Sequence, residues 1–442
     1  MSGTSTVIGS ADNLVASQST ATVIGAGPAG IAATKELARR GVDGVCLEAA
    51  DDLAPHWRLS PPETSSPVYE SLRLNNSRGR MRFREAAMPT STGTYPSYVQ
   101  FRQYLREIVR MSKLAGKIRY RERVDSIDQV DGKWLLKLGG GGHHITDHVV
   151  VATGLNWKPM IPDLLDQFAG EFIHSSAYRT ADRFAGRRVL VLGCSNSGAE
   201  IASELAFTAR ETIVAASKGF HIIPRRVLGV PSDRLDGPLL AQLPYRLRDA
   251  MHTLAVLPTR IRAARAGIAK PDLAFLRGPW VISSEILRNL ENGSVTMAPW
   301  PIRFEGNRAV FKGGSELEID AVVAATGYEP SFPRMPVKPV IARNVNECYH
   351  KMIDPRLPNF FFIGFVLPLG ALLPTVEIQA EWAAAVVSGD ATIPAASDME
   401  RCVKQECAED RERFAARHGA TITVDPYPYR RLLRSEIRKT EN

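Results

Sequence analysis

The chain has 442 residues, with 55 Lys plus Arg against 47 Asp plus Glu and a net charge of +8. At roughly 100–200 residues per domain, that length calls for two domains. With 44% hydrophobic and 23% charged residues the composition is ordinary for a globular protein, which excludes a disordered chain, a fibrous repeat and a disulfide-stapled miniprotein.

Residues 1–19 are rich in Ser, Thr, Ala and Gly and predict a mobile tail. Thr22-Val23-Ile24 then reads as a short strand, Thr34 to Arg40 as a helix ended by Gly41, and Val45-Cys46-Leu47 as the next strand. Residues 60–100 are Pro-, Ser- and Arg-rich and predict loops, and Tyr98 to Ser112 predicts a helix. Gly139 to Gly142, with His143 and His144, reads as a turn between strands, because the two histidines have no third ligand nearby. Val149 to Gly154 is a buried strand ending in glycine. A second βαβ unit opens at Val189–Gly193 and continues through a helix at 197–209 to a strand at 212–216. Residues 225–277 hold ten basic and four acidic residues among Leu, Ala and Pro, the pattern of short amphipathic helices. Strands return near 295–312 and at Val322–Tyr328, and a last helix is expected at about 375–388.

Five cysteines, Cys46, Cys194, Cys348, Cys402 and Cys407, are too few and too scattered for a disulfide framework, so a reducing compartment is expected. No apolar run approaches the ~18–20 residues that span a bilayer. No basic residue precedes Lys35, which argues against a secretory signal or a transit peptide. The expected localisation is cytoplasmic. The basic residues of 225–277 are interleaved with Leu and Pro rather than with stacking aromatics, so nucleic-acid binding is not expected, whereas a peripheral membrane contact stays open.

Two glycine-rich turns carry the chemistry. Gly25-Ala26-Gly27-Pro28-Ala29-Gly30 follows a strand and opens a helix, and Glu48 ends the next strand. Such a turn lets backbone approach a pyrophosphate, the helix N-terminus attracts phosphates, and the acid bonds ribose hydroxyls. The second turn is Gly193-Cys194-Ser195-Asn196-Ser197-Gly198, with Ser195 where the second glycine is expected. After its next strand stand Ser217 and Lys218 in place of an acid, with Arg225 and Arg226 further on. A cation there suits a ribose phosphate, which favours NADPH over NADH. Two nucleotide sites in one chain imply electron transfer between two cofactors. Thr153-Gly154 and Thr326-Gly327 each close an Ala-Thr-Gly strand, expected where the chain leaves and re-enters the first domain.

These residues resemble the flavin-containing monooxygenases, a class B flavoprotein family that includes plant yucca-type enzymes. The segment Phe168 to Tyr178 fits that family's F-x-G-x-x-x-H-x-x-x-[FY] fingerprint. Ser71–Asn75 with Met81 and Phe83, Tyr95–Tyr98, Ala325–Tyr328, Phe362–Gly364, Pro368–Gly370 and Pro374–Gln379 also match it. The resemblance implies an α/β fold of two dinucleotide-binding, Rossmann-like domains, the NADPH domain inserted into a discontinuous FAD domain. The boundaries expected are a tail at 1–19, FAD-binding residues 20–160, NADPH-binding residues 161–314, and a second FAD-binding part with C-terminal helices at 315–442.

The resemblance further implies FAD in the first site and NADPH in the second. A hydroperoxyflavin would oxygenate a soft nitrogen, sulfur or indole-type carbon of a small molecule. Yucca-like decarboxylation of an arylpyruvate, Baeyer–Villiger oxygenation and a degenerate flavin-binding protein are the alternatives. The partners implied are the substrate and O2, with a homodimer as the assembly to test. Asn75 matches the asparagine beside the flavin, and Trp57 a tryptophan packed near it. Asn196 and Ser197 match positions near the nicotinamide nucleotide. His174 would link domains, and the helix near Pro374 and Thr375 would aim its positive end at the flavin. Two departures stand out: Ala54-Pro55 replaces the family's Gly-Gly before His56-Trp57, and Leu367 replaces a common Gln.

Overall fold

A computed structural model describes residues 17–61, 66–235, 237, 240–271, 275–276, 278, 280–343, 345–414 and 420–438. The expected tail therefore lies outside the described residues up to residue 16, and Ser17 already belongs to a strand. In chain order the first elements are β1 Ser17–Ile24, α1 Pro28–Arg39, β2 Gly44–Glu48, α2 Tyr98–Met111, β3 Ile118–Tyr120, β4 Val124–Val130, β5 Lys133–Leu138 and β6 His143–Val151. Next come β7 Glu171–His174, β8 Arg188–Leu192, α3 Asn196–Leu205, β9 Glu211–Ala216, α4 Tyr245–Ala255, α5 Leu257–Arg265, α6 Glu285–Glu291, β10 Thr296–Pro299 and β11 Ala321–Ala324. The last are β12 Phe360–Phe362, α7 Leu373–Val387, α8 Ala396–Phe414 and α9 Pro426–Arg438.

One sheet runs β3-β2-β1-β6-β5-β4, with β12 added beside β6. Its β3, β2, β1, β6 and β12 are parallel, and β4-β5-β6 is an antiparallel meander. The second sheet runs β10-β9-β8-β11-β7 and is wholly parallel. Val149–Val151 and Val189–Leu192 are buried throughout, as parallel strands covered on both faces must be.

Two expectations need correction. The first helix begins at Pro28, on the glycine turn itself, rather than at Thr34. The boundary at 314/315 also falls too early. Ala321–Ala324 pairs with both β8 and β7, so residues up to the crossover at Gly327 belong with the second sheet. Strand register decides which sheet owns a segment.

The two glycine turns superimpose in their backbone logic. Gly25 and Gly193 both have φ +101°. A Cβ on Gly30 would lie 1.7 Å from the Gly25 carbonyl oxygen, and one on Gly198 would lie 2.0 Å from that of Gly193. Both helices can start this close to their strands only because these positions lack a side chain. Gly27 and Ser195 are different: both are extended (φ −76°, ψ −176° and φ −85°, ψ −174°), a conformation open to any residue. This is how the second turn accommodates a serine.

Helix α7 is buried on nearly every face and packs beside α1. Helix α9 closes over it through Gln379 Nε2, which donates to Tyr429 Oη at 2.8 Å. The basic segment forms α4 and α5, amphipathic helices on the second domain, as its pattern predicts.

Candidate functional site

The first glycine turn opens onto a cavity of about 770 Å³ between the sheets. Gly25, Gly27, Pro28 and Ala29 form one wall, and Glu48, Trp57 and Asn75 reach it from neighbouring segments. Thr153 and Gly154, at the end of β6, line it too. From the second domain come Asn196 and Ser197, at the start of α3. Leu372 and Leu373, the first residues of α7, point that helix's N-terminus into the same space. Three helix N-termini thus converge on one cleft, the electrostatic arrangement that holds anionic dinucleotides.

Each wall residue has a physical reason to be there. A Cβ on Gly27 would meet nothing within 4 Å, so the space beside this backbone is open to a ligand. Glu48 is buried, its Oε2 accepting from the Ala26 amide at 2.6 Å and its Oε1 from the Ala50 amide at 2.8 Å. Burial raises the Glu48 carboxyl above its usual range, and these backbone amides counter that rise. Glu48 therefore pins the turn as well as facing the cavity. Asn75 Oδ1 is buried with no hydrogen-bond partner, an unsatisfied acceptor of the kind a bound group completes. Asn196 is fixed by the Ile282 amide, which donates to its Oδ1 at 2.9 Å. The Trp57 ring meets Phe101 edge-on, centroids 4.5 Å apart.

Ala54, where the resemblance has a glycine, takes a left-handed backbone (φ 48°, ψ 59°), at a cost of about 1 kcal/mol for an L-residue. Pro55 begins the short helical turn that carries Trp57. His56, which sequence reasoning singled out only as part of a departure, also lines the cavity and lies 4.3 Å from the Trp157 ring. Burial lowers its imidazole pKa to about 4, so it is neutral at physiological pH.

Other expected site residues sit elsewhere. Gly30, Gly193, Ser195 and Gly198 build the turns behind the wall rather than facing the cavity. Thr375 is fully buried within α7 and does not line the cavity. Ser217 and Lys218 are exposed just past β9, where a nucleotide's second ribose would lie in such a fold. Arg225 is a correction. Its guanidinium pairs with Glu200, which also takes the Tyr69 hydroxyl, and it lies over the Tyr95 ring. That pairing turns Arg225 toward Glu200 and Tyr95, and it does not line the cavity. Thr326 and Gly327 are also corrected. Thr326 Oγ1 donates to the Met160 carbonyl, and the Gly327 carbonyl accepts from the Met160 amide at 3.0 Å. They tie the two domain crossovers together outside the cavity. His174 joins this link, with Nε2 at 3.0 Å from the Gly327 oxygen. Burial lowers its pKa to about 4, so a neutral ring holds the crossover at Gly327.

A second cavity of about 780 Å³ adjoins the first across Asn76, Trp280, Ile282 and Gly370. Its walls come from residues 79–84, from the described part of 223–262, from 369–381 and from 426–434, so the Pro368–Gly370 and Pro374–Gln379 motifs reach it only through Leu369, Gly370, Pro374, Glu377 and Ile378.

The model of the FMO-like family, flavin-binding monooxygenase-like proteins, matches residues 18–438. The chain belongs to this family. It is 29% identical over 425 residues to flavin-containing monooxygenase 5 of Oryctolagus cuniculus, spanning 91% of this chain and 80% of that protein. It is 28% identical over 439 residues to flavin-containing monooxygenase 3 of Homo sapiens, spanning 94% of this chain and 82% of that one. Its fold is similar to S-allyl-L-cysteine S-oxygenase from Allium sativum, with a TM-score of 0.70 at 21% identity over 95% of this chain and 88% of that one. Cyclohexanone monooxygenase bound to epsilon-caprolactone also gives 0.70, at 19% identity over 95% of this chain and 97% of that one. The protein is a flavin-dependent monooxygenase, and FAD and NADPH are the cofactors of its family. Among the described residues no helix is long and apolar enough to cross a membrane.

Proposed function

We propose that this enzyme uses NADPH and O2 to place one oxygen atom on a soft nitrogen or sulfur, or an indole-type carbon, of a small molecule. The observation that carries the reading is the paired-cavity arrangement. A cleft onto which three helix N-termini open, with an unsatisfied buried Asn75 acceptor, adjoins a second chamber lined by apolar residues and arginines. FAD reduced by NADPH supplies the electrons that activate O2, and the chain supplies binding, orientation and exclusion of water.

The Gly25–Gly30 turn, Glu48, Trp57, Thr153 and Gly154 would hold FAD, with the α1 N-terminus toward the pyrophosphate. The α7 N-terminus would favour the negative charge of a reduced ring. Asn196 and Ser197 would hold the nicotinamide nucleotide, with Lys218 toward its ribose phosphate. The Asn75 side-chain amide would donate hydrogen bonds toward the flavin edge and NADP⁺, and its unpartnered Oδ1 would accept one from a bound group. No carboxylate or imidazole is needed as a general acid there, which agrees with the neutral His56. The five free cysteines fit a reducing compartment, and we place the enzyme in the cytoplasm on that ground. Exposed Leu247, Leu254 and Ile261 beside Arg246 would support contact with an anionic membrane surface, read by co-sedimentation with anionic vesicles.

The test is NADPH-dependent oxygen uptake with trimethylamine, a thioether, indole, a cyclic ketone and indole-3-pyruvate, with product analysis. N-oxide, sulfoxide or oxygenated indole is the expected outcome. Conversion of the ketone alone to an ester, or of the pyruvate alone to an acetate, would overturn the proposal, and a colourless protein that takes up no FAD would overturn the cofactor assignment.

A further inference from the structure

The second cavity is unusual in its charge. Eight arginines stand on its walls against three carboxylates. Two of those carboxylates are engaged by cations and the third by a backbone amide. Glu381 pairs with Arg84. Glu377 accepts from the Arg84 amide at 3.0 Å and from Lys35 Nζ at 3.3 Å. Asp233 accepts from the Ser77 amide at 2.5 Å. Two further wall arginines pair outside the cavity, Arg248 with Asp425 and Arg262 with Glu291.

Of the other five, Arg80 donates to Tyr427 Oη at 3.3 Å, and four guanidiniums are left without such compensation. Among the described residues, Arg82, Arg226, Arg430 and Arg434 have no carboxylate within ion-pair distance. Arg82 and Arg430 are half-buried, and Arg226 and Arg434 reach solvent. Arg430 and Arg434 sit one turn apart on α9, so their side chains share a face. Arg430 donates Nε to the Pro426 carbonyl at 2.8 Å and lies over the Tyr427 ring at 5.0 Å, which fixes its fork. Burial depresses its pKa, and the neighbouring Arg434 and Arg80 add to the effect. Like charges gathered on a partly buried wall destabilise the free protein and are relieved by a bound anion. Around them, Leu240, Met251, Phe275, Leu369 and Ile378 make the rest of the surface apolar. The cavity reaches the flavin cleft past Asn76, Trp280 and Gly370.

The geometry points to a substrate that carries a carboxylate on an apolar body, its anionic end on Arg430, Arg82 and Arg434 and its oxidisable atom directed past Asn76 and Trp280. This deepens the monooxygenase reading and rests on it. Arginine forks bind carboxylates in a bidentate manner, so the anchor would fix both distance and orientation. The long-range field of the wall would also speed the approach of an anion, in a salt-dependent way.

The test uses a matched pair, 3-(benzylthio)propanoate and its neutral amide, on the purified yellow holoenzyme. Isothermal titration reads binding without turnover. The acid should bind at least tenfold tighter than the amide, with the difference shrinking in high salt. Arg430→Gln should raise the Kd of the acid at least tenfold while moving that of the amide by less than twofold. Arg434→Gln, a change at an exposed position, should raise it by a smaller factor and stands as the second variant if the first does not fold. Equal binding of acid and amide would overturn the inference. So would a variant that weakens both alike, or one that raises the KM for NADPH instead of the Kd of the acid. Sulfoxide formation is scored separately, so that binding without oxygenation counts against the proposed reaction and not against the anchor.

Discussion

Two single-methyl substitutions at the first glycine turn separate folding from cofactor binding. At Gly27 the backbone is extended, and an added Cβ would meet nothing within 4 Å. Gly27→Ala should therefore stabilise the FAD-free protein by ~0.4–1 kcal/mol, because the unfolded chain loses freedom. The same methyl occupies the space through which a pyrophosphate would approach the turn. FAD affinity should fall by about a hundredfold, or ~2.7 kcal/mol. At Gly30 the opposite holds. A Cβ there would sit 1.7 Å from the Gly25 carbonyl oxygen, a backbone atom that cannot step aside. Gly30→Ala should cost more than ~3 kcal/mol, beyond ordinary overpacking, whether or not FAD is added. Thermal unfolding of the FAD-free and reconstituted proteins, with the flavin absorbance band as the measure of loading, reads both effects. A Gly27→Ala protein that melts below the parent without FAD, or that retains FAD undiminished, would refute the assignment of that space to the cofactor.

Asn75→Ala should keep FAD and NADPH oxidation while product yield falls and hydrogen peroxide rises, measured as the ratio of product to NADPH consumed. Lys218→Ala should raise the KM for NADPH and leave that for NADH unchanged. Arg225→Ala should instead lower stability by ~3 kcal/mol, by stranding the buried Glu200, with no selective effect on NADPH. His350 carries a pH prediction. Burial alone would lower its pKa, but the hydrogen bond that Nδ1 donates to Glu406 at 2.6 Å and the Glu436 carboxylate 3.7 Å from Nε2 outweigh that and raise it above 6.5. A raised folded-state pKa stabilises the protein fully below 6.5, and the contribution is lost as pH rises through the raised value. The thermal midpoint should fall across that window, and His350→Gln should flatten the fall.

Much of the site is legible in the sequence because its logic is local. Gly25–Gly30 and Gly193–Gly198 are each six residues whose spacing carries a strand into a helix, and the strand after the first brings Glu48 to the cavity. Their identity as a pair, and Asn75 and Trp57 beside them, followed from motifs of the same short range. Arg225 was misjudged because its partner Glu200 lies on α3 and Tyr95 comes from the first domain's loop region, pairings that no spacing encodes. Thr326 and Gly327 carry the same Ala-Thr-Gly signature as Thr153 and Gly154, yet only the latter face the cavity.

The excess of +8 shows the division most clearly. The sequence by itself determined that the chain is basic, that much of the excess falls in 225–277, and that two nucleotide turns exist to use some of it. Only the tertiary structure decided where each charge goes. It spends Arg225, Arg248 and Arg262 in ion pairs with distant carboxylates. It gathers Arg82, Arg226, Arg430 and Arg434, from three remote segments, onto the wall of one chamber. A turn is set by dihedral angles over a few residues, whereas charge compensation is set by which side chains the packed elements bring within a few ångströms.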